Sequence, residues 1–156
     1  MKFNELVKEL KEKESYQSFM EKNPDAYVCA GFLILSKEEK EGDKLQINLF
    51  LPKKKRIATF DYPFNSFVEH EDEITEASAV DEKDLALDVD DLQAFIKEKT
   101  GIEPLKIIAI FKDGIWNLTL LNGMDMRRLK IDAYTKEVLH EDKGLLSDFI
   151  KVKKKD

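Results

Sequence analysis

The order of one helix followed by three strands occurs twice along this sequence. Residues 14–62 predict a helix that ends before Pro24, followed by three strands, the last of which ends at Tyr62. Residues 88–134 predict the same order, with a third strand ending at Tyr134. Element order supports this repeat more than residue identity does. We therefore expect the α+β class: two related α-β-β-β units sharing one antiparallel sheet, with the helices packed on one face.

Apolar residues at helical spacing support the helices. In the first segment the apolar stripe consists of Phe3, Leu6, Val7 and Leu10. Ser15 is a candidate N-cap within that segment, so residues 3–22 predict either one long helix or two short ones. In the second unit Asp88 is a candidate N-cap, and Gly101 occupies the position where a left-handed residue commonly ends a helix.

The strand pattern differs between segments of the chain. Residues 26–36 are apolar on both faces, which predicts a central strand covered on two sides. Residues 45–51 alternate between apolar and polar side chains and predict a half-buried strand. Asp113-Gly114 is the strongest hairpin signal in the chain. These patterns predict a sheet built from antiparallel meanders.

The predicted organisation has a first unit at residues 1–62, an acidic connector at 63–87, and a second unit at 88–156. Leu145 to Ile150 predict a terminal helix before a Lys-rich tail at 151–155. The stretch 69–91 contains eleven acids against one Lys, while the whole chain has a net charge of −6. Such a block is either a solvated linker or a strap that lies across a basic face and masks it.

Size and composition favour a globular cytoplasmic protein. The 156 residues suffice for one domain with a substantial core, or for two small abutting halves. No stretch reaches the roughly 18 apolar residues that a membrane helix needs. The first residues lack the apolar core of a signal peptide, and the single Cys29 excludes an internal disulfide. We expect a cytoplasmic location and no membrane partner.

Part of the second unit resembles a known family. Trp116 follows the Asp-Gly turn in a predicted strand, and residues 131–139 read Ile-Asp-Ala-Tyr-Thr-Lys-Glu-Val-Leu. Together with the α-β-β-β order, residues 88–140 resemble the PepSY domain, whose third strand has a similar motif with Gly where Lys136 stands. With Lys at this position we expect the turn to form without a φ > 0 residue. The resemblance implies a cystatin-like helix packed across an antiparallel sheet, and an inhibitory or regulatory binding role without catalytic residues.

Several residues are candidates for chemistry, and each has a structural interpretation as well. Cys29 with His70 or His140 has the residue types of a nucleophile and its base, but Cys29 lies in an apolar strand where a thiol is inert. Each His lies among acids, as in some zinc sites. Asp132 is a candidate catalytic carboxylate, although Asp commonly accepts N–H groups in a turn. We expect no enzyme, no metal and no cofactor.

The predicted function is the binding or regulation of a protein or peptide, through the open face of the sheet or an edge strand. The candidate contact residues are Trp116, Asn117, Arg127, Arg128 and Lys130. For Trp116 a core position at the helix–sheet interface is favoured over the contact surface, because large aromatic residues usually anchor that interface. An exposed edge also permits a homodimer.

Two other functions stay open. Nucleic-acid association would use three basic clusters, which are residues 53–56, 127–128 and 151–155, but the net negative charge disfavours it. A small-molecule carrier or enzyme would need a pocket between helix and sheet that contains buried carboxylates.

Overall fold

The computed structural model describes residues 2–37, 43–81 and 85–145. The helices are α1 (Phe3–Lys11), α2 (Glu14–Lys22) and α3 (Leu92–Thr100), and α3 is preceded by a 3₁₀ turn at Val89–Asp91. The strands are β1 (Tyr27–Ser36), β2 (Lys44–Leu51), β3 (Arg56–Asp61), β4 (Phe67–Glu69), β5 (Lys106–Lys112), β6 (Ile115–Asn122), β7 (Asp125–Asp132) and β8 (Val138–Leu145). The predicted α+β class with an antiparallel sheet is confirmed.

All eight strands form one sheet in the order β4-β3-β2-β1-β5-β6-β7-β8. Each neighbouring pair is antiparallel, and the two halves meet where β1 pairs with β5, with Gly31 opposite Phe111. Residues 26–36 therefore form a central strand, as their apolar pattern predicts. We refer to β1–β4 with α1 and α2 as the first half, and to β5–β8 with α3 as the second half.

The helices of both halves pack on the same face of the sheet. Leu10 of α1 and Phe19 of α2 belong to a buried cluster with residues of β2 and β3. Leu92 and Ile96 of α3 belong to a second cluster with residues of β5, β6 and β7. Leu45 of β2 contacts both clusters, so the two cores are continuous beneath the helices.

Asp88 connects the beginning of α1 to the beginning of the α3 segment. Its carboxylate Oδ1 accepts the backbone N–H of Phe3 at 2.7 Å and the N–H of Val89 at 2.7 Å. Asp88 is buried, and its two hydrogen bonds offset the cost of placing a carboxylate there. At the other end of α3, Gly101 adopts φ 73° in the left-handed region. Both helix signals found in the sequence are confirmed.

The N-terminal apolar stretch forms two helices rather than one. The N-cap of α2 is Lys13, and Ser15 lies inside α2, so the prediction of Ser15 as an N-cap is wrong. The Ser15 hydroxyl instead donates a hydrogen bond to the carbonyl of Phe64. Phe64 is buried in the cluster beneath α1 and α2. The chain after β3 is therefore tied to the helix layer before it reaches β4.

Two lysines adopt the left-handed backbone region in tight turns. Lys55, between β2 and β3, has φ 55°, and Lys136, between β7 and β8, has φ 67°. Lys136 is the residue that stands in place of the Gly of the PepSY motif. The sequence led us to expect a turn made without a φ > 0 residue, and this expectation is wrong. The Asp132 carboxylate supports the turn by accepting the N–H groups of Tyr134 and Thr135 at 2.8 and 3.1 Å.

The predicted terminal helix is wrong at its first residue, Leu145, which belongs to a strand. Val138 and Leu139 begin β8, which continues to Leu145. Leu145 is therefore a strand residue, and the rest of the predicted terminal helix and the Lys-rich tail lie outside the described residues.

Candidate binding face

The side of the sheet opposite the helices, which we call the open face, has two differently covered parts. In the first half it is crossed by residues 70–81, which we call the strap. The Ile74 and Ala77 side chains of the strap pack against a small cluster that contains Ala30 and Phe50. The strap thus lies on the open face of the sheet, and the cluster beneath its Ile74 and Ala77 is apolar rather than basic.

Backbone hydrogen bonds hold the strap at several points. His70 N–H donates to the Ile57 carbonyl at 2.9 Å, Ile74 N–H to the Lys55 carbonyl at 2.8 Å, and Val80 N–H to the Val28 carbonyl at 2.9 Å. The Tyr27 hydroxyl donates to the Ala77 carbonyl at 2.6 Å. The strap is therefore bound mainly through its backbone and two apolar side chains, while its carboxylates at positions 71–73 and 76 remain exposed.

A short polar network lies where the strap leaves β4. The buried Thr59 hydroxyl donates to Asn48 Oδ1 at 2.8 Å, and its oxygen lies 2.8 Å from His70 Nε2. With the Thr59 proton directed at Asn48, the imidazole N–H donates to the hydroxyl oxygen. His70 thus fixes the beginning of the strap, and its ring is not paired with Cys29 or His140.

The open face has a graded composition from the central strand β1 across the second half to β7. Antiparallel register places Phe32, Ile110, Asn117 and Lys130 in one row from β1 to β7. A second row consists of Ile34, Ile108, Thr119 and Arg128. Each row passes from apolar side chains at the centre of the sheet through an uncharged polar side chain to a cation. We call these eight residues the docking face.

Three of the five predicted contact residues belong to the docking face. Asn117, Arg128 and Lys130 lie in neighbouring positions on β6 and β7. Trp116 does not, because it is 0% exposed and its Nε1–H donates to the Leu87 carbonyl at 2.7 Å on the helix side. Arg127 alternates to the helix side as well, where its guanidinium lies 3.8 Å from Glu141. The placement of Trp116 and Arg127 on a shared contact surface is therefore wrong.

The apolar members of the docking face were missed in the sequence. Ile110 is 39% exposed, and Phe32, Ile34 and Ile108 are partly exposed. Their strands are apolar on both sides, which we interpreted for β1 as cover on two faces. The same pattern is the signal that could have identified them, because covering elements were predicted on one face only.

The other candidates for chemistry have structural roles. Burial raises the pKa of the Cys29 thiol to about 11, and its Sγ donates to the Asn48 carbonyl at 3.5 Å, so it is not an activated nucleophile. His140 Nε2 lies 2.9 Å from an oxygen of Asp142 on the outer strand. In the described ranges no group of three or more His, Cys, Asp or Glu side chains has the arrangement of a metal site.

The predicted basic clusters do not form one surface. Lys53 pairs with Asp25 at 2.9 Å, while Lys54 and Arg56 pair with Glu69 at 3.3 and 3.2 Å. Burial alone would raise the pKa of Glu69, but hydrogen bonds from these two cations lower it below its usual value. Residues 127 and 128 point to opposite faces, and 151–155 lie outside the described residues.

Comparison with known proteins gives a fold relationship. No family model matches the sequence, and no curated protein matches it. The crystal structure of a "putative lipoprotein" from Clostridium difficile 630 is similar over 82% of this chain and 89% of that chain, with a TM-score of 0.55 and 10% sequence identity. At this identity the likeness concerns the fold alone. Among the described residues no helix combines the length and apolar character needed to span a membrane.

Proposed function

We propose that this protein is a non-enzymatic binding module whose docking face binds an extended, acidic segment of another protein. The observation that carries the proposal is the graded register on β1, β5, β6 and β7, with apolar side chains beside Arg128 and Lys130. Both cations are exposed on the same face as the partly exposed isoleucines. An exposed apolar patch rimmed by charge is typical of a protein interaction site.

The strap supports the acidic character of the partner. It is an extended acidic segment of this chain, and it binds the neighbouring part of the same sheet face through Ile74 and Ala77. Its partly buried residues Ile74, Ala77 and Val80 recur at every third position, and its carboxylates at 71–73 and 76 are exposed. The docking face provides a similar apolar surface and adds cations, so a segment of the same composition would gain charge complementarity there.

The geometry of the sheet fixes the expected spacing in the partner. Neighbouring strands lie about 4.8 Å apart, so β5 and β7 are separated by about 10 Å. An extended segment in the polyproline II conformation advances about 3.1 Å per residue and repeats every three residues, so side chains three positions apart face the same way. A partner crossing the strands therefore places an apolar residue over Ile108 or Ile110 and an acidic residue, about three positions further along, beside Arg128 or Lys130.

The finer relationships predicted from the sequence also belong to this proposal. A PepSY-like, cystatin-related unit at residues 88–140 is supported by α3 packed across β5–β7 and by the Asp132 turn. A duplication is supported by the order of the strands, which runs outward from β1 in one half and from β5 in the other. The cytoplasmic location stays a prediction from the sequence.

The test measures binding of a fluorescein-labelled synthetic peptide with the sequence of residues 70–80 to the whole protein by fluorescence anisotropy. A second peptide replaces its Glu and Asp residues with Gln and Asn. We expect the acidic peptide to bind and the neutral one to bind at least about tenfold more weakly, a difference of about 1.4 kcal/mol. The double variant Arg128→Glu with Lys130→Glu should weaken binding of the acidic peptide by at least the same factor, because two attractive charges become repulsive.

The matched control is Lys22→Glu with Lys99→Glu, which makes the same charge change on helices α2 and α3. These exposed residues lie on the helix side of the sheet, so the control protein should bind the acidic peptide as the wild type does. Equal losses in both double variants would show a non-specific charge effect and overturn the proposal. No binding of the acidic peptide to the wild type would overturn it as well.

A further inference from the structure

A cavity lies beside α1, on the helix side of the molecule and away from the docking face. Its volume is about 630 Å³, within the range of roughly 300–1,000 Å³ that is common for small-molecule sites. Its walls come from α1 with Tyr16 of α2, from residues 26–28, and from the end of the strap at 79–81 with Leu85 and Asp88. The Val80 N–H···O=C hydrogen bond to Val28, at 2.9 Å, joins two of these walls.

The walls of the cavity are mainly apolar. Phe3 and Val7 contribute from α1, Val28 from β1, and Val80 and Leu85 from the third wall. The Phe3 ring packs directly over the backbone of Gly31. The approach is so close that a Cβ added at Gly31 would lie 2.5 Å from Phe3 Cε2. The ring also packs against Phe111, with ring centroids 5.3 Å apart. The apolar lining is therefore fixed by the core and does not depend on a ligand.

The charged side chains at the cavity differ in whether they already interact with other groups of the protein. Asp88 already accepts two backbone N–H groups, and Asp81 and Lys11 have interactions of their own. Lys8 lines the cavity from α1 and is exposed. Within the described part of the chain Lys8 has no ion pair. An ammonium group without a counter-ion at the edge of an apolar cavity favours an anionic head group over a cationic one.

We propose that this cavity binds a small amphipathic anion, with an apolar body between α1 and β1 and its acidic head beside Lys8. The proposal goes beyond peptide binding and uses none of the docking-face residues. It also differs from the cavity expected for an enzyme, because the buried carboxylate, Asp88, is occupied by backbone donors. The ligand class is that of a medium-chain carboxylate or an equivalent anion.

The test compares three probes with the same ten-carbon chain by isothermal titration calorimetry: decanoate, decanol and decyltrimethylammonium, each below its micellar concentration. We expect decanoate to bind most tightly, and decyltrimethylammonium at least about tenfold more weakly. Lys8→Glu should weaken the binding of decanoate at least about tenfold. Lys22→Glu, the same change in the last turn of α2, should leave the affinity for decanoate unchanged.

A second variant tests the location of the site. Val7→Trp fills the cavity from its α1 wall and should abolish decanoate binding, with a far-ultraviolet circular dichroism spectrum that matches the wild type. If that variant is misfolded, the Lys8 and Lys22 pair still decides the question. Tighter binding of the cationic probe, equal affinity after Lys8→Glu, or no heat with decanoate at millimolar concentration would overturn the proposal.

Discussion

The two halves use the same sheet face in different ways. In the first half the strap covers the open face and forms hydrogen bonds with β1 and β3. In the second half Ile110 is 39% exposed, although it lines one groove with Asp72 and Ile74 of the strap. The exposed cations Arg128 and Lys130 lie two strands from β5 on the same face. The comparison teaches that one sheet can bind a segment of its own chain on one half and keep a similar surface accessible on the other.

The side chains beneath explain why the two surfaces differ. The first half presents Asn48 and Thr59, which with His70 form a closed polar network. The corresponding region of the second half presents Asn117 and Thr119 in rows that reach Lys130 and Arg128 on β7, which lie opposite His140 and Asp142 of β8. The neutral polar groups of the first half are satisfied by one another's side chains, whereas exposed cations favour a partner that supplies carboxylates.

The largest expected effect comes from removing the main aromatic residue of each core. Trp116→Ala in the second half and Phe60→Ala in the first should each destabilise the protein by about 3–5 kcal/mol, because both side chains are fully buried. Since the two cores are continuous through the sheet, each variant should unfold in one transition. Urea denaturation followed by circular dichroism measures both quantities.

A two-step transition in either variant would break the comparison, because it would mean that the halves unfold as separate units. The control is Glu98→Ala on the exposed side of α3, which should change the free energy of unfolding by less than about 0.5 kcal/mol.

A smaller effect is expected from loosening the strap. Ile74→Ser removes a partly buried apolar contact with the cluster of Ala30 and Phe50, which should cost about 1 kcal/mol. It should also speed limited proteolysis within residues 70–81, because few other side-chain contacts hold the strap to the sheet. Glu73→Ser, an exposed neighbour, is the matched control. Equal cleavage rates in the two variants would contradict the role assigned to Ile74.

The smallest effect concerns two lysines with a left-handed backbone, Lys55 in the first half and Lys136 in the second. Lys55→Gly and Lys136→Gly should each stabilise the protein by about 0.5–1 kcal/mol. The left-handed conformation costs an L-residue about 1–2 kcal/mol, and substitution by Gly removes this cost. The larger backbone entropy that Gly loses on folding offsets part of the stabilisation. Lys53→Gly, in the β2–β3 turn but without a positive φ, should destabilise slightly. Loss of stability in Lys136→Gly would show that its turn does not carry this strain.

The sequence predicted helix ends and turns better than it predicted which segments pack against one another. The Asp88 cap, the Gly101 C-terminus and the Asp113-Gly114 hairpin depend on short-range backbone chemistry, and all three are present. For residues 67–80 the sequence left an extended chain and a short helix both open. The reason is that Phe67–Glu69 is short and has two exposed residues, so it lacks the alternation that identifies a strand. The strap was missed in part because its acids suggest solvent, while two apolar side chains and the backbone fix it to the sheet.

The candidate site was predicted only in part for a similar reason. Alternation predicts which residues share a face of a strand, but not which face a helix will cover. Trp116 and Asn117 are adjacent and therefore point to opposite sides, so both could not belong to one contact surface. The same holds for Arg127 and Arg128. The apolar residues of β1 and β5 became part of the site only through the pairing of strands far apart in the chain.

The pairing of β1 with β5 also has a consequence for folding kinetics. Every other strand pair among the described residues joins neighbours in the chain, so each meander can form through contacts of low sequence separation. The central pair instead closes a long loop, with Gly31 opposite Phe111. Loop closure has an entropic cost that must be met before the contacts form. Docking of two preformed meanders at this joint is therefore the expected rate-limiting event.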